Sequence, residues 1–422
     1  MTGPVRDLRG ARVLVGVSGG IAAYKAAHVV RGLIASGADV QVVPTPSALQ
    51  FVGAATWEAL SHNPVLTSVF EDVDRVAHVQ IGQQADLVLV VPATADLMAR
   101  VRMGRADDLL TASLLVTRAP VVLAPAMHTE MWENPATVEN VKVLRERGIT
   151  VLEPAVGRLT GPDSGPGRLP EPEAILEAAQ AVMSAPRDEQ GGIRRDLAGA
   201  HVLVTAGGTR EELDPVRFLG NHSSGKQGVA LAAAAMARGA RVTLVAANVD
   251  LETPPGVERV NVVSAAELAA EVAARRGRVD VLVMAAAVAD FTAAERAEAK
   301  IKKTDDAEVP VLALRRTEDV LRSSVLDRGD RSLPRIVGFA AETGGEDATA
   351  LELAAQKARR KGADLLIFND VSSGVFGSGS NAVRILDADG EVLDEVSGSK
   401  ITVAHRIIDW LVCRTPDVPW SA

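Results

Sequence analysis

The sequence contains very little cysteine and few aromatic residues. Cys413 is the one cysteine among 422 residues, so the chain can form neither an internal disulfide nor a metal site built from cysteines. Aromatic residues make up 3% of the chain, so alanine, valine and leucine must build its hydrophobic cores. A single thiol is typical of a protein that works in a reducing compartment.

Long apolar runs and an excess of basic residues are also absent. Runs such as Leu87–Val91 have the length of a strand and are too short to span a bilayer, and residues 1–10 contain no apolar signal core. The formal net charge of −9 argues against a nucleic-acid partner, because a phosphate backbone requires a basic face. We therefore expect a soluble cytoplasmic protein that binds neither a membrane nor a nucleic acid.

The sequence does contain a pattern of buried strands that alternate with helices, and this pattern occurs twice. A chain of this length is too long for one core, and segments 11–18 and 200–206 each run from an apolar strand into paired glycines. Such strands predict an α/β fold with two Rossmann-like parallel-sheet domains. The other predicted strands are 38–44, 86–92, 119–124 and 149–152 in the first half, and 240–246, 257–262, 279–284, 335–339 and 363–368 in the second.

Composition also predicts where the domains begin and end. Residues 185–196 are polar, contain adjacent glycines and show no periodicity, so we interpret them as a linker between domains at 1–184 and 197–422. Residues 382–396 form two short apolar runs around an Asp-Gly pair, which predicts a β-hairpin. The second domain is therefore expected to carry a C-terminal β-hairpin extension, followed by a final helix at about 399–413.

Three loops of the first half follow predicted strands, where parallel sheets bind ligands. Ser18-Gly19-Gly20 joins a strand to a helix, and such a turn presents backbone N–H groups to an anion. Its spacing does not match the dinucleotide fingerprint, so a mononucleotide phosphate is the better hypothesis and a plain tight turn is the alternative. The other two loops are Pro92–Asp96 and Pro125–Trp132. For the loop at Pro125–Trp132, the alternative to a ligand site is a short helix whose Met and Trp side chains face the core.

Together with His78-Val79 and 107–110, these segments occur in the order found in the homo-oligomeric flavin-containing cysteine decarboxylases. Residues 1–185 resemble this family, and phosphopantothenoylcysteine decarboxylase most closely. The resemblance implies trimers with FMN at the subunit boundaries, and it makes His78 the active-site acid or base. It implies FMN contacts at Gly19, Gly20, Thr45, Ala95, Asp96, Leu97, Met98, Ser113 and Ala126, and substrate contacts at Met127 and His128.

Two positions depart from the pattern of this family. His128 stands where the family has an asparagine that holds the substrate carboxylate. Gly161 stands where a flap of the family has the cysteine that protonates the product, although 160–169 keep the glycines and prolines expected of a flap. The proton donor stays open among Asp163, Ser164, His128 and water. A flavin prenyltransferase-like first half, or a flavoprotein module that only binds or regulates, are the alternatives.

The second half opens on a glycine turn at 207–211 and continues through 214–217 to a Gly/Ser-rich helix start at 221–228. The latter looks like a P-loop, but Gln227 replaces the Ser/Thr that would hold magnesium and no strand directly precedes it, so an NTPase is rejected. A helix start suited to phosphates remains. An alanine-rich run at 284–291 would let a flat nucleotide approach the backbone, unless it is only a small-residue strand end.

With Lys300–Lys303, 338–343 and 369–370, these segments resemble the phosphopantothenate–cysteine ligase domain over residues 195–412. A lysine run alone would usually be a solvated loop. The resemblance implies that this domain forms dimers, that it uses CTP as a substrate, and that it requires Mg²⁺ or Mn²⁺. The protein ligands of the metal ion are left open. The resemblance also implies CTP contacts at Met284, Ala285, Ala286, Asp290, Lys300, Thr317, Glu318, Asp319, Val320, Phe339, Lys357 and Lys361, catalytic roles for Asn221 and Lys300, and substrate contacts at Ser223, Ser224, Gly225 and Lys226.

The two resemblances imply consecutive reactions. The second half would join L-cysteine to 4'-phosphopantothenate through an acyl-cytidylate, and the first half would decarboxylate the product to 4'-phosphopantetheine, a precursor of coenzyme A. Trimers of one domain and dimers of the other predict a homo-dodecamer.

Overall fold

The computed structural model describes residues 8–67, 77–158, 164–188, 193–254, 256–301, 311–342, 349–370, 380–414 and 420. The chain divides into two compact units, residues 1–194 and 195–422. The boundary between the units falls inside the segment 185–196 that the sequence suggests is a linker.

The first unit is built on a five-stranded parallel sheet with strand order β2-β1-β3-β4-β5. Its strands are β1 Arg12–Val17, β2 Asp39–Pro44, β3 Leu87–Ala93, β4 Val121–Pro125 and β5 Thr150–Val151. Its helices are α1 Ala23–Ala35, α2 Ala54–Ser61, α3 Ala77–Gln84, α4 Ala95–Met103, α5 Leu109–Val116, α6 Thr129–Trp132, α7 Pro135–Glu146 and α8 Pro172–Ser184.

Helices cover both faces of this sheet. Side chains alternate along a strand, so Val13, Val15 and Val17 of β1 join the core beneath α1 and α8, while Leu14 joins the core beneath α4 and α5. Burial on both faces explains why the strands consist of nearly continuous apolar residues. A separate antiparallel hairpin of β6 Ala155–Arg158 and β7 Ser164–Arg168 follows the sheet.

The second unit is built on an eight-stranded sheet with strand order β12-β11-β8-β13-β16-β17-β18-β19. The strands of this sheet are β8 His201–Gly207, β11 Arg241–Ala247, β12 Glu258–Val262, β13 Val281–Met284, β16 Arg335–Glu342, β17 Leu365–Asp370, β18 Ser380–Asp387 and β19 Val392–Ser399. The helices are α9 Lys226–Ala237, α10 Ala265–Arg275, α11 Val320–Arg328, α12 Ala350–Lys361 and α13 Lys400–Cys413.

The predicted C-terminal hairpin is the antiparallel pair β18–β19, which extends the otherwise parallel sheet beyond β17. These two sheets and their helices confirm the predicted α/β class. Two further two-stranded sheets were not predicted: β9 Arg210–Glu212 with β10 Phe218–Gly220, and β14 Phe291–Ala293 with β15 Leu314–Arg316. Strands of three residues are too short to show the alternation from which a strand is predicted.

Candidate active sites

The carboxyl ends of parallel strands meet at one edge of a sheet, and in the first unit a buried serine links two of the loops that leave this edge. The Ser18 hydroxyl donates to the Pro92 carbonyl oxygen over 2.8 Å and accepts from the Thr94 N–H over 3.0 Å. The turn after β1 is therefore held against the loop after β3. The sequence placed Ser18 in the glycine turn but indicated no partner for it.

The turn after β1 leaves the start of α1 open. A Cβ atom at Gly19 would lie 2.4 Å from the Cβ of Ser47, so only glycine allows this close approach. Ala22 precedes α1 and provides no side-chain cap, whereas Thr94 caps α4 by accepting from the Leu97 N–H. The Ala23 and Lys25 N–H groups donate to the Gly20 and Ala22 carbonyl oxygens. A helix start without a side-chain cap still suits an anion, so the geometry fits a phosphate at this turn.

Arg100 on α4 joins three carboxylates near the same edge. Its guanidinium contacts Asp96, Asp107 and Asp108 at 3.0, 2.9 and 2.7 Å. Burial alone would lower the pKa of Arg100, but hydrogen bonds to Asp108 and Asp107 raise it above the ordinary value, and the bond from Arg100 lowers the pKa of Asp107. Because Asp108 also caps α5, this network fixes the starts of two helices beside the predicted FMN contact Asp96.

The loop after β4 lies against the β6–β7 hairpin. The Ala126 N–H donates to Ala93 in β3, and the Met127 N–H donates to the Gly167 carbonyl oxygen over 2.9 Å. His128 is exposed, as is Ser164 at the start of β7. Predicted residues at the ends of β2, β3 and β4 therefore meet at this edge, with the hairpin next to them. Gly161 and Asp163 lie outside the described residues.

His78 and Ser113 lie on the packed helices α3 and α5 instead of the edge loops. A Cβ atom at Gly82 would meet the Ser113 carbonyl oxygen at 2.6 Å, so the two helices are in close contact. Ser113 is fully buried and its hydroxyl donates to the Leu109 carbonyl oxygen. His78 is half-buried, and its Nδ1 has no hydrogen-bond partner within the described part of the chain.

Threonines fasten the predicted nucleotide segment of the second unit. The Thr205 hydroxyl accepts from the Ala286 N–H over 3.1 Å, and the Thr209 hydroxyl accepts from the Ala289 N–H over 2.9 Å. The Asn221 side-chain amide donates to the Ala287 carbonyl oxygen over 3.1 Å. The structure thus joins the turn after β8, residues 284–290 and Asn221. Thr205 lies 81 residues from its partner, a pairing that no local pattern indicates.

Glycines shape the turn after β8 and the start of α9. Gly207 has a φ of +88°, and a Cβ atom there would lie 2.0 Å from the Ala247 carbonyl oxygen. Gly225 precedes α9 without a side-chain cap, and Lys226 is the first residue of the helix. Lys400, at the start of α13, lies nearby: burial lowers its pKa, and the charge of Lys226 lowers it further. Positive charge therefore accumulates at an open helix start.

Two lysines of α12 hold acidic side chains of the same edge. Lys357 contacts Glu342 over 2.9 Å, and Lys361 forms an ion pair with Asp319. Burial alone would raise the pKa of Asp319, but the bonds from Lys361 and from the Arg322 N–H lower it. This brings the predicted turn 317–320 next to α12.

The same turn also contacts the segment 284–290. The Thr317 N–H donates to the Asp290 carbonyl oxygen, and the Thr317 hydroxyl donates to the Ala289 carbonyl oxygen. Within the turn, Val320 is buried in the core. The turn therefore lies between α12 and the predicted nucleotide segment.

The other predicted residues of the second unit occupy varied positions. Phe339 lies inside β16 and is half-buried, and Asp290, Ser224 and Lys300 are exposed. Met284 is buried at the end of β13. Lys302, Lys303 and Thr343 lie outside the described residues.

Among the described residues there is neither a metal-binding cluster of side chains nor a membrane-spanning helix. No group of three or more His, Cys, Asp or Glu side chains among them is arranged to hold a metal ion. None of the helices in the described ranges is both long and apolar enough to cross a membrane.

Both halves of the chain match known families. The flavoprotein family matches residues 2–184, and the DNA/pantothenate metabolism flavoprotein C-terminal domain matches residues 197–413. The Coenzyme A biosynthesis bifunctional protein CoaBC of Mycobacterium tuberculosis (strain ATCC 25618 / H37Rv) is 56% identical over 406 residues, which cover 95% of this chain and 96% of that protein.

More distant relatives also match over the length of the chain or over its second half. The protein of the same name from Escherichia coli (strain K12) is 42% identical over 414 residues, which cover 97% of this chain and 98% of that protein. A crystal structure of the C-terminal domain of a CoaBC protein aligns with a TM-score of 0.42 and 34% identity, covering 53% of this chain and 100% of that domain.

Proposed function

Because the chain belongs to the family of bifunctional CoaBC proteins of coenzyme A biosynthesis, we propose that it converts 4'-phosphopantothenate and L-cysteine to 4'-phosphopantetheine in two steps. The membership confirms the resemblance seen in the motifs and makes the chain a bifunctional enzyme with a ligase half and a flavoprotein decarboxylase half. The proposed domains are residues 197–422 and 1–184. The observation that carries the proposal is that, in each half, the described motif loops that follow the strands meet at one edge of the sheet.

In the first step a carboxylate must be activated, because an amine does not displace oxygen from a free carboxylate. The carboxylate oxygen of 4'-phosphopantothenate attacks the α-phosphate of CTP, forming an acyl-cytidylate and releasing pyrophosphate. The cysteine amine then attacks the acyl carbon, forms the amide, loses a proton and releases CMP. Lys300 would stabilise the charge that builds up on the phosphates, and Asn221 would hold the acyl-cytidylate.

The contacts of the second unit support this chemistry. Ala285 and Ala286 offer small side chains to the cytidine, with the Ala286 N–H bonded to Thr205, and α12 brings Lys357 and Lys361 to the same edge for the phosphates. The open start of α9, with Ser223 to Lys226, suits the phosphate of the pantothenate substrate, and Lys400 adds positive charge there. Mg²⁺ is commonly bound through one or two carboxylates and substrate phosphates, so a nucleotide-held ion needs no cluster of protein ligands.

In the second step the residues of the first unit would hold FMN and the ligated product. FMN, when bound, would accept two electrons as the cysteine-derived thiol becomes a thioaldehyde, which takes up the electron pair left as CO₂ departs, and it would return the two electrons to the resulting ene-thiol to give the product thiol. The uncapped start of α1 suits the FMN phosphate, and Ala95 to Met98 and Ala126 border the same edge. His78 would transfer a proton to or from substrate, and its unpartnered Nδ1 supports this role.

The group that protonates the final product stays open. Gly161 replaces the family's cysteine, and a glycine has no side chain that could donate a proton. Ser164 and His128 are two candidates, and both are exposed, on the hairpin and on the loop beside it. Asp163 and a water molecule are the other candidates.

Exposed apolar side chains support assembly into homo-oligomers. In the second unit the contacting strands β9 and β14 belong to small sheets that expose Phe218, Leu219, Phe291 and Leu314. The first unit exposes Ile21 and Tyr24 next to its glycine turn, and also Met103 and Leu115. Clustered exposed apolar residues typically mark interfaces, which fits dimers of the second unit, trimers of the first and a dodecamer of both.

The test supplies 4'-phosphopantothenate, CTP, Mg²⁺ and L-cysteine to the purified full-length protein and follows products by mass spectrometry. We expect 4'-phosphopantetheine, CMP, pyrophosphate and CO₂. Accumulation of the carboxylated intermediate would refute the decarboxylase half and favour the alternative of a ligase with a flavoprotein module that only binds or regulates. Loss of CTP dependence would refute the acyl-cytidylate route.

A further inference from the structure

Asp214 has a fully buried side chain in the turn that follows β9. Its Oδ1 accepts from the N–H groups of Val216 and Arg217 over 2.7 and 2.8 Å, which closes the turn. Its Oδ2 accepts from the N–H of Ile301 over 3.2 Å, although Ile301 lies 87 residues further along the chain. One carboxylate therefore connects the β9–β10 turn to the residue that follows Lys300.

The segment that leads to Lys300 has two other contacts, one with the end of β9 and one with the start of the turn. The Ala297 N–H donates to the Leu213 carbonyl oxygen over 3.0 Å, and Arg296 forms an ion pair with Glu212. Both of these contacts lie three or more residues before Lys300. Among these three contacts, the bond to Ile301 is the one directly next to Lys300.

The ionised form of Asp214 is the form that can make all three bonds. Burial alone would raise the pKa of Asp214, but the three backbone N–H donors and the nearby Arg217 lower it below the ordinary value. A carboxylate accepts hydrogen bonds at both oxygens, whereas a side-chain amide presents a donor on one side. Replacement of Asp214 by asparagine would therefore keep the turn bonds at the side-chain oxygen. Its NH₂ group, a donor, would then face the backbone N–H of Ile301, which is also a donor.

We propose that Asp214 is a positioning residue that holds Lys300 at the phosphates of the nucleotide, an inference that rests on the proposed role of Lys300. Lys300 is exposed, so the backbone anchor at Ile301 limits where its long side chain can reach. Asp214 touches neither substrate nor nucleotide in this assignment and acts through the backbone.

The first test measures amide hydrogen exchange across residues 297–301 in the full-length protein. In Asp214→Asn we expect the Ile301 amide to exchange about tenfold faster while Ala297 keeps its wild-type rate. Glu212→Gln, which removes the surface ion pair to Arg296, is the matched control and should leave Ile301 unchanged. If Asp214→Asn does not fold, Asp214→Ser serves in its place, because its hydroxyl can still close the turn but cannot reach Ile301. Wild-type protection of Ile301 in either variant would overturn the inference.

The second test is a double-mutant cycle on CTP-dependent pyrophosphate release. Asp214→Asn should lower kcat about tenfold and leave the KM for cysteine unchanged, but should cost nothing more in a Lys300→Ala background. Equal losses in both backgrounds would mean that Asp214 does not act through Lys300, and would refute the inference alone. A wild-type rate for Lys300→Ala would instead refute the proposed role of Lys300.

Discussion

In the first unit three carboxylates converge on the one guanidinium of Arg100, whereas in the second unit two lysines of α12 each hold a carboxylate at the sheet edge. Both units otherwise use the same backbone device, a glycine turn after the first strand and an uncapped helix start. The difference in charge follows the proposed ligands. A flavin mononucleotide carries one phosphate, which an open helix start can hold, while a triphosphate requires several cations.

This comparison predicts that each unit can be disabled without the other. The largest expected effect is that of His78→Asn, which we expect to slow decarboxylation about 1,000-fold, because a positioned acid or base contributes about 10²- to 10⁴-fold. Release of CO₂ from the synthetic carboxylated intermediate measures this rate. Ligation by the same preparation is the control; equal loss of both activities would contradict the separation of the two sites.

Lys300→Ala is the matching change in the second unit. We expect CTP-dependent pyrophosphate release to fall about 100-fold, because one lost group that stabilises transition-state charge typically costs this much. CO₂ release from the synthetic intermediate should be unchanged. Lys300→Arg would sharpen the result: partial recovery is expected if the charge is what acts.

A third change tests whether the glycine turn is as strict as the geometry indicates. In Gly207→Ala the new Cβ would collide with the Ala247 carbonyl oxygen, and alanine would have to adopt the positive φ of this position. We therefore expect the second unit to lose about 2 kcal/mol of stability. Gly277→Ala is the control, since a Cβ there meets no atom within 4 Å. Urea unfolding followed for each unit would show the loss, and a first unit destabilised by the same amount would argue against separate folding units.

The smallest expected effect concerns acid stability. The folded pKa of Asp214 is lowered, so its contribution is present above the unfolded value of about 3.9 and is lost as pH falls through the lowered folded value. We therefore expect the melting temperature of the second unit to change little on this account above about pH 5 and to fall below about pH 4. Asp214→Asn should show a shallower acid decline in calorimetry. The pKa of Asp107 in the first unit is also lowered, but solvent screens its exposed ion pair with Arg100, so we expect little effect on stability from it.

The location of the candidate sites could be predicted from the sequence, but several residues that hold the sites together could not. Paired glycines after the first strand of each half, and the loops after later strands, predicted where the sites lie, because parallel strands must end at the same edge. The anchoring residues Ser18 and Thr205 and the basic residue Lys400 were not predicted as functional. A buried serine or threonine in a strand or turn looks ordinary until its partner is known, and the partners of Ser18 and Thr205 lie 76 and 81 residues away in the chain.

The sequence by itself determined the two α/β halves, the positions of their strands and of the glycine turns that end them, and the C-terminal hairpin, because periodicity and glycine turns are local properties of the chain. Tertiary structure alone decided that β18 and β19 extend the main sheet, that Arg238 is buried between Asp196 and Asp409, and that Asp214 meets Ile301. Such pairings depend on how distant segments pack around a shared core. A buried charge is tolerated only where the fold supplies its partners, and no local pattern specifies them.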